Sequence, residues 1–461
     1  MTRSILLVGT ARVASLLLGV VLLAVLGRRL GTDGFGTLQF ALAVMAYPLL
    51  LVDLGMTTYG LREIASGRLS LGMFRGLVGA RLALSMGTLV ALGVGVILLP
   101  LSAASRAIVV VLGLGLPASA MNARWVLQGE RRFGRSAAVD VASTGTQLIA
   151  ALVLVHGGGD APAAAMALTL AAWTTTAISV VLAGRWSRFR PTFGRGIAAT
   201  IARSLPLGAA AIAITIYYSF DTVLLGIFRG SEEVAYYAAA YRIILPILAL
   251  AGAVGTVAIP HLSFLVARDA QTADRATVGL SRQMVLWALP MAVGGALAAE
   301  PIIRFVYGAA FAQAVTPFRI LIWSVATVYA NSAFAFLLLA RHGDRRYLVA
   351  VAAGAASNMG LNLVVIPLAG MVGAAVVTMV SELTVLGLLL WWTRDVSRAA
   401  IPAAVKTTAM PSLVMALVVW PLRGSLVAVA AGAVAFSVVA MLTGSISIRG
   451  LIARLRSWGR S

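Results

Sequence analysis

Residues Met371 to Thr393 read MVGAAVVTMVSELTVLGLLLWWT, with Glu382 as the only charge. A helix of about 20 apolar residues crosses the hydrocarbon core of a bilayer, so this stretch is long enough to span it. Upstream, 347–368 is equally apolar; downstream, Arg394 opens a short connector before another apolar block. Read outward in this way, the chain resolves into about fourteen blocks, too many in succession for a water-soluble fold. The expected spans are 5–27, 36–60, 77–100, 107–128, 137–156, 162–184, 204–227, 234–260, 283–304, 316–340, 347–368, 371–393, 404–422 and 425–443. The first begins almost at Met1 and shows no clear cleavage site, so it reads as a span rather than a signal peptide. The expected fold class is an all-α polytopic membrane protein.

The 461 residues are 61% hydrophobic and 11% charged, with a formal charge of +21. A nucleic-acid binder can be as basic, but not with this apolar content, so no nucleic-acid partner is expected. The excess is better read through the positive-inside rule. Alternate connectors collect it: Arg62, Arg68 and Arg75; Arg131, Arg132 and Arg135; Arg185 to Arg195; Arg268, Arg275 and Arg282; Arg341, Arg345 and Arg346; Arg394, Arg398 and Lys406; then the tail. The other side holds Arg28, Arg29, Arg106, Arg229, Arg304 and Arg423. This asymmetry predicts a cytoplasmic-membrane protein with an even number of spans and both termini cytoplasmic. With no cysteine, disulfides, thiolate metal sites and cysteine nucleophiles are excluded. Ile448 to Trp458 reads either as an interfacial helix on anionic lipid or as a frayed basic tail.

Two echoes suggest duplication. Leu26-Gly27-Arg28-Arg29-Leu30-Gly31 aligns with Leu225-Gly226-Ile227-Phe228-Arg229-Gly230, and Gly129-Glu130-Arg131-Arg132-Phe133 with Gly343-Asp344-Arg345-Arg346-Tyr347. The expected organisation is an N-terminal lobe of spans 1–6 (residues 1–200) and a like-oriented C-terminal lobe of spans 7–12 (201–400). Spans 13–14 (401–445) and a basic amphipathic cytoplasmic tail (446–461) follow. Parallel halves of this kind suit a carrier better than a pore.

A charge in the hydrocarbon costs about 2.5–3.5 kcal/mol, so each one within a span is a candidate. These are Arg12, Asp53, Arg81, Arg124 and Asp140, then Asp221, Arg242, Glu300, Arg319 and Glu382. One reading is a wet cavity lined mainly by arginine and suited to a large anion, because guanidinium forks onto phosphate oxygens. The alternative is that Arg81, Arg124 and Arg319 snorkel to lipid phosphates. Arg12 and Arg242 lie deeper and read as cavity-facing. Asp53 and Asp221 read as pairing partners for those arginines or as sites for a coupling proton or sodium ion, and Asp140 as a boundary residue. Gly55, Gly208 and Gly252 permit close helix contacts, and Pro48, Pro206, Pro246, Pro260 and Pro290 permit kinks.

Enzyme chemistry has little to stand on. There is no phosphate-binding Gly-x-x-x-x-Gly-Lys-Ser/Thr loop, and His156, His261 and His342 are scattered. Asp33, Glu232 and Glu233, the acids of the outer connectors, echo each other and read as structural. No enzyme activity, metal or organic cofactor is expected.

The ordered motifs resemble those of the polysaccharide (Wzx-type) flippases of the MATE/MOP transporter superfamily. They are Leu30-Gly31-x-x-x-Phe35-Gly36, Asp53-x-Gly55, Arg62-Glu63-x-Ala65, Leu127-Gln128-Gly129-Glu130 and Tyr217-Tyr218-x-x-Asp221-x-x-x-Leu225-Gly226. Val234-x-x-Tyr237-x-x-Ala240-Tyr241-Arg242, Asn358-x-x-x-Asn362-Leu363-x-x-x-Pro367, Gly370-x-x-Gly373-Ala374-Ala375 and Glu382 continue the series. Ala235 departs from a glycine common in that family. The resemblance implies alternating-access translocation of a polyprenyl-diphosphate-linked oligosaccharide for surface polysaccharide synthesis, beside polymerase and glycosyltransferases. Arg12, Arg81, Arg124, Arg242 and Arg319 would then attract the diphosphate, while Asp53, Asp221 and Glu382 gate or couple. Rival readings are a lipid II flippase, a cation-coupled MATE-type exporter, and a non-transporting scaffold. Intramembrane arginines equal to the acids in number argue against the exporter.

Overall fold

The computed structural model describes residues 2–98, 103–187, 190–194 and 196–445; the tail expected to lie on lipid falls outside them. The described residues are helical and turn segments with no strand. They divide into two compact units, residues 1–235 and 236–460. The first contains α1 (Thr2–Asp53), α2 (Met56–Ala65), α3 (Leu71–Leu98), α4 (Ala103–Gly113), α5 (Leu116–Met121), α6 (Arg124–Gly129), α7 (Phe133–Leu154), α8 (Ala161–Leu182) and α9 (Gly196–Phe228). The second contains most of α10 (Ser231–Arg268), then α11 (Ala270–Leu297), α12 (Ala299–Tyr307), α13 (Val315–Leu321), α14 (Trp323–Ala340), α15 (Asp344–Trp392), α16 (Arg394–Leu422) and α17 (Val427–Leu442).

Among the described residues, nine helices are long and apolar enough to cross a membrane, and α11 with α12 forms a further candidate bent by 77°. Two shorter apolar helices, Ser219–Phe228 and Val427–Leu442, account for part of the difference from about fourteen, and the rest has a physical source. At about 1.5 Å per residue, α15 as a straight rod is more than twice the roughly 30 Å of a hydrocarbon core. It is not straight: Gly370 sits at φ 55°, ψ −139°. Beyond it the chain turns back, so that Gly354 packs on Ser381 and Val385. The expected spans 347–368 and 371–393 are thus limbs of one hairpin reversed at a single glycine. Gly31, at φ 65° inside α1, separates the first two expected spans in the same way.

Side chains such as Leu442, Ile97, Leu368 and Leu98 are three-quarters or more exposed. Water would not tolerate that surface, but lipid does, and inside lipid the helices need close van der Waals fit rather than a hydrophobic drive. In unit 1, Phe74 of α3 lies between Trp125 of α6 and Trp186, at ring-centroid distances of 5.6 and 5.1 Å, all three buried. Gly60 of α2 leaves room for the Trp125 ring. Gly55 and Gly208 meet backbone to backbone, as their small size suggested, whereas Gly252 has open space beside it.

The echoes are written in the backbone. Gly31 and Gly230 both take positive φ (65° and 88°), and the two turns touch through the Ser231 hydroxyl, which donates to Asp33. In the second echo the non-glycine residues at positive φ are Arg131 (58°) and His342 (57°), each two residues before the next helix begins. The backbone therefore pairs Arg131 with His342, three residues away from the register that the letters suggest. In that register Glu130 matches Arg341, opposite charges making like contacts. Glu130 accepts from Trp186 Nε1 (2.9 Å), just beyond α8. Arg341 donates to Asp395 (2.7 Å), at the start of α16, and also pairs with Asp274.

Two outcomes follow from this packing. Gly55 has φ 79°, and a Cβ there would collide with the Gly208 backbone N. Gly55→Ala should therefore destabilise the protein by about 2 kcal/mol or more, read as a lower melting temperature in detergent. At the membrane edge, hydrogen bonds from Arg68 (3.1 and 3.2 Å) hold the Glu63 carboxyl below its usual range. A carboxylate with a depressed folded-state pKa stabilises above its unfolded value, about 4.3, and loses that contribution as pH falls through the folded value. Melting curves of the protein should show an acid-side decline that Glu63→Gln reduces.

Candidate functional site

Span four was expected as one helix; it is three. Its first break, at Leu114–Gly115, precedes Pro117, whose ring clashes with the carbonyl four residues back and which has no N–H to donate. The second, at Asn122–Ala123, follows from Asn122, which leaves the helix at φ −58°, ψ 121°. Its Oδ1 accepts from the Arg124 N–H (2.8 Å), offering the backbone an alternative to helix continuation.

Each break frees backbone groups where no water is at hand, and an unpaired group in hydrocarbon is costly. One face of α8 satisfies them. Thr169 Oγ1 donates to Val111 O (2.8 Å), Trp173 Nε1 to Leu114 O (3.2 Å) and Thr176 Oγ1 to Ala118 O (2.6 Å), while Ser179 Oγ accepts from Ala123 N (3.1 Å). These donors recur at helical spacing, so the two elements are zipped along their length. None was singled out from sequence, although a polar stripe at 169, 173, 176 and 179 was the available signal.

Arg81 completes the second break. It is 6% exposed, and its guanidinium donates to Ser119 O (2.6 Å) and Asn122 O (3.5 Å) while its Nε lies 3.5 Å from Asp53 Oδ1. Asp53 also accepts from the Thr57 N–H (3.2 Å) and hydroxyl. Arg81 is thus an interior cross-link and does not snorkel. Arg124 opens α6, with a side chain one-third exposed, paired to Asp140 (2.6 Å) and bonded to Ser136 (3.3 Å). Asp140, read as a boundary residue, is instead this arginine's counter-ion. Asp221 is 3% exposed and accepts from the Thr222 N–H at 2.7 Å. Arg12 lies on α1 with its side chain outside the description.

In the second unit, Asn331 Nδ2 donates to Glu382 Oε2 (3.0 Å), and Asn362 Nδ2 to Asn358 Oδ1 (3.1 Å), both of the latter asparagines fully buried. The Tyr237 hydroxyl meets Thr378 Oγ1 at 3.2 Å, and its ring stacks on Tyr241. Arg242 is half-buried and Arg319 is exposed on α13. Asn331 is the partner of Glu382 that sequence reasoning missed, because a lone asparagine in an apolar helix carries no motif.

The model of the family described as polysaccharide biosynthesis protein matches residues 1–266, more than half of the chain. The chain belongs to that family. The polysaccharide biosynthesis fold seen here is also that of solved transporters. It is similar to the lipid II flippase MurJ in an inward closed conformation, with TM-score 0.79 and 14% identity over 97% of this chain and 100% of that one. It is similar too to an inward-facing multidrug resistance MATE family transporter of the MOP superfamily, with TM-score 0.61 and 16% identity over 84% of this chain and 95% of the other. At such identities the likeness establishes the fold alone. No curated protein matches by sequence.

If the α8 stripe sustains the broken span of this family member, its donors should be unequal to other hydroxyls on the same helix. Thr176→Val orphans the Ala118 carbonyl and should cost about 1 kcal/mol in detergent unfolding. Thr174→Val, whose hydroxyl only bonds back to Leu170 O, should be near neutral.

Proposed function

We propose that this chain moves a polyprenyl-diphosphate-linked oligosaccharide from the cytoplasmic to the outer leaflet of the cytoplasmic membrane by alternating access, for surface polysaccharide synthesis. The observation that carries the reading is Arg124, a partly exposed guanidinium at a break in a membrane span, in a chain of the polysaccharide biosynthesis family. A guanidinium is charged at any working pH and its fork matches phosphate oxygens. Arg12, Arg242 and Arg319 add to the cationic character available to a diphosphate. Arg81, already engaged with two carbonyls and Asp53, acts in this reading from behind Arg124. Asp53, Asp221 and Glu382 serve gating or coupling to a proton or sodium gradient. The arginine asymmetry of the connectors supports cytoplasmic termini, and partners are the polymerase and glycosyltransferases that handle the same glycan.

A second reading, lipid II as cargo, draws support from the likeness to MurJ over nearly the whole chain. Both cargoes share the diphosphate, so the sugar discriminates. Proteoliposomes holding the protein and either a fluorescent lipid-linked oligosaccharide or lipid II should show faster translocation of the former. Arg124→Ala and Arg242→Ala should each lower that rate about tenfold or more with membrane insertion unchanged. Unchanged rates in both variants would refute their contact with the diphosphate.

A further inference from the structure

Span four is interrupted twice, yet at both joints the structure supplies its own partners to the freed backbone. We propose that the inner joint, at Asn122–Ala123, is a positioning device. Arg81 and Asn122 fix its angle so that Arg124 presents its guanidinium to a diphosphate, without themselves touching the cargo. The last step rests on the function proposed above; the joint itself does not.

The geometry divides the labour among three residues. Arg81 reaches the joint from α3 and holds its α5 side, donating to Ser119 O in α5 and to Asn122 O in the joint. Only a planar fork can satisfy two carbonyls and keep Nε toward a carboxylate; a lysine ammonium has the charge without that shape. Asn122 faces the other way, its Oδ1 on the Arg124 N–H. Ser179 takes the Ala123 N–H between them. The chain therefore holds this angle with partners drawn from its own side chains. Arg124 is the next residue, steadied along one edge by Asp140 and Ser136 while a third of its side chain stays exposed. Burial separates the two arginines in the same sense: the 6% exposed Arg81 braces, and Arg124 meets what enters.

The test uses the full chain in lipid nanodiscs, with farnesyl diphosphate as the probe. Because the natural sequence has no cysteine, Gln128→Cys in α6 supplies a sole thiol whose maleimide labelling rate reports the position of that segment. Arg81→Lys and Asn122→Ala should each weaken farnesyl diphosphate binding about tenfold and shift the labelling rate severalfold. Arg124→Ala should weaken binding similarly and leave labelling unchanged. Adding Arg81→Lys to Arg124→Ala should cost nothing more, since both act through one contact. Additive losses would mean that Arg81 meets the diphosphate directly, and overturn the positioning role. Unchanged labelling in both Arg81→Lys and Asn122→Ala would overturn the joint in every case. Should the unsubstituted chain fail to bind the probe, the cargo reading falls and labelling alone decides the joint.

Discussion

A bilayer interior has nothing to offer an exposed peptide group, and this constraint explains more of the protein than any single charge does. Unbroken helices meet it by themselves. A helix broken at mid-membrane meets it only if neighbours deliver donors and acceptors at matching heights. In unit 1, α8 does so with a stripe of hydroxyls and one indole, and Arg81 does so from α3. The hydroxyl groups are therefore placed by the breaks, and the arginine by the carbonyls it caps. Asp53 in turn is placed by that arginine, as a compensating charge close to a guanidinium taken out of water.

Both members of each echo use the same backbone device with different side chains. Positive-φ turns recur at Gly31 and Gly230 and at Arg131 and His342. The residues that flank the second pair have exchanged sign: Glu130 accepts an indole N–H where Arg341 grips two carboxylates. The repeated turns thus agree in where the chain turns and differ in how each turn is tied. The ties need only join the turn to the segment beyond the next span but one, and either polarity serves.

Much of this was legible in the letters because hydropathy and arginine placement report on a bulk solvent, lipid, that acts on every residue alike. The helical class and the run of membrane-length apolar segments followed from that; the number of spans and the breaks within them did not. Where a single pair of atoms decides, the letters were weaker. Asp140 looked incidental because its partner Arg124 lies sixteen positions away across a turn, and Asn331 looked inert because Glu382 is on another helix. Arg81 was recognised as a charge in the membrane, but its engagement with the carbonyls of Ser119 and Asn122 depends on a break that hydropathy does not register. The second echo was found in the wrong register for the same reason: letters were matched where dihedral angles are what repeats.

The single-glycine reversal at Gly370 has a practical consequence. Two long helical limbs meet there with almost no intervening chain, so that edge of the protein offers no loop for an antibody to grip or a protease to cut. Epitope tags and affinity handles inserted at this corner would have to unravel a helix end before they could be displayed. The turn around His156 to Asp160, where a carboxylate already organises a short non-helical segment, is the better place to graft one.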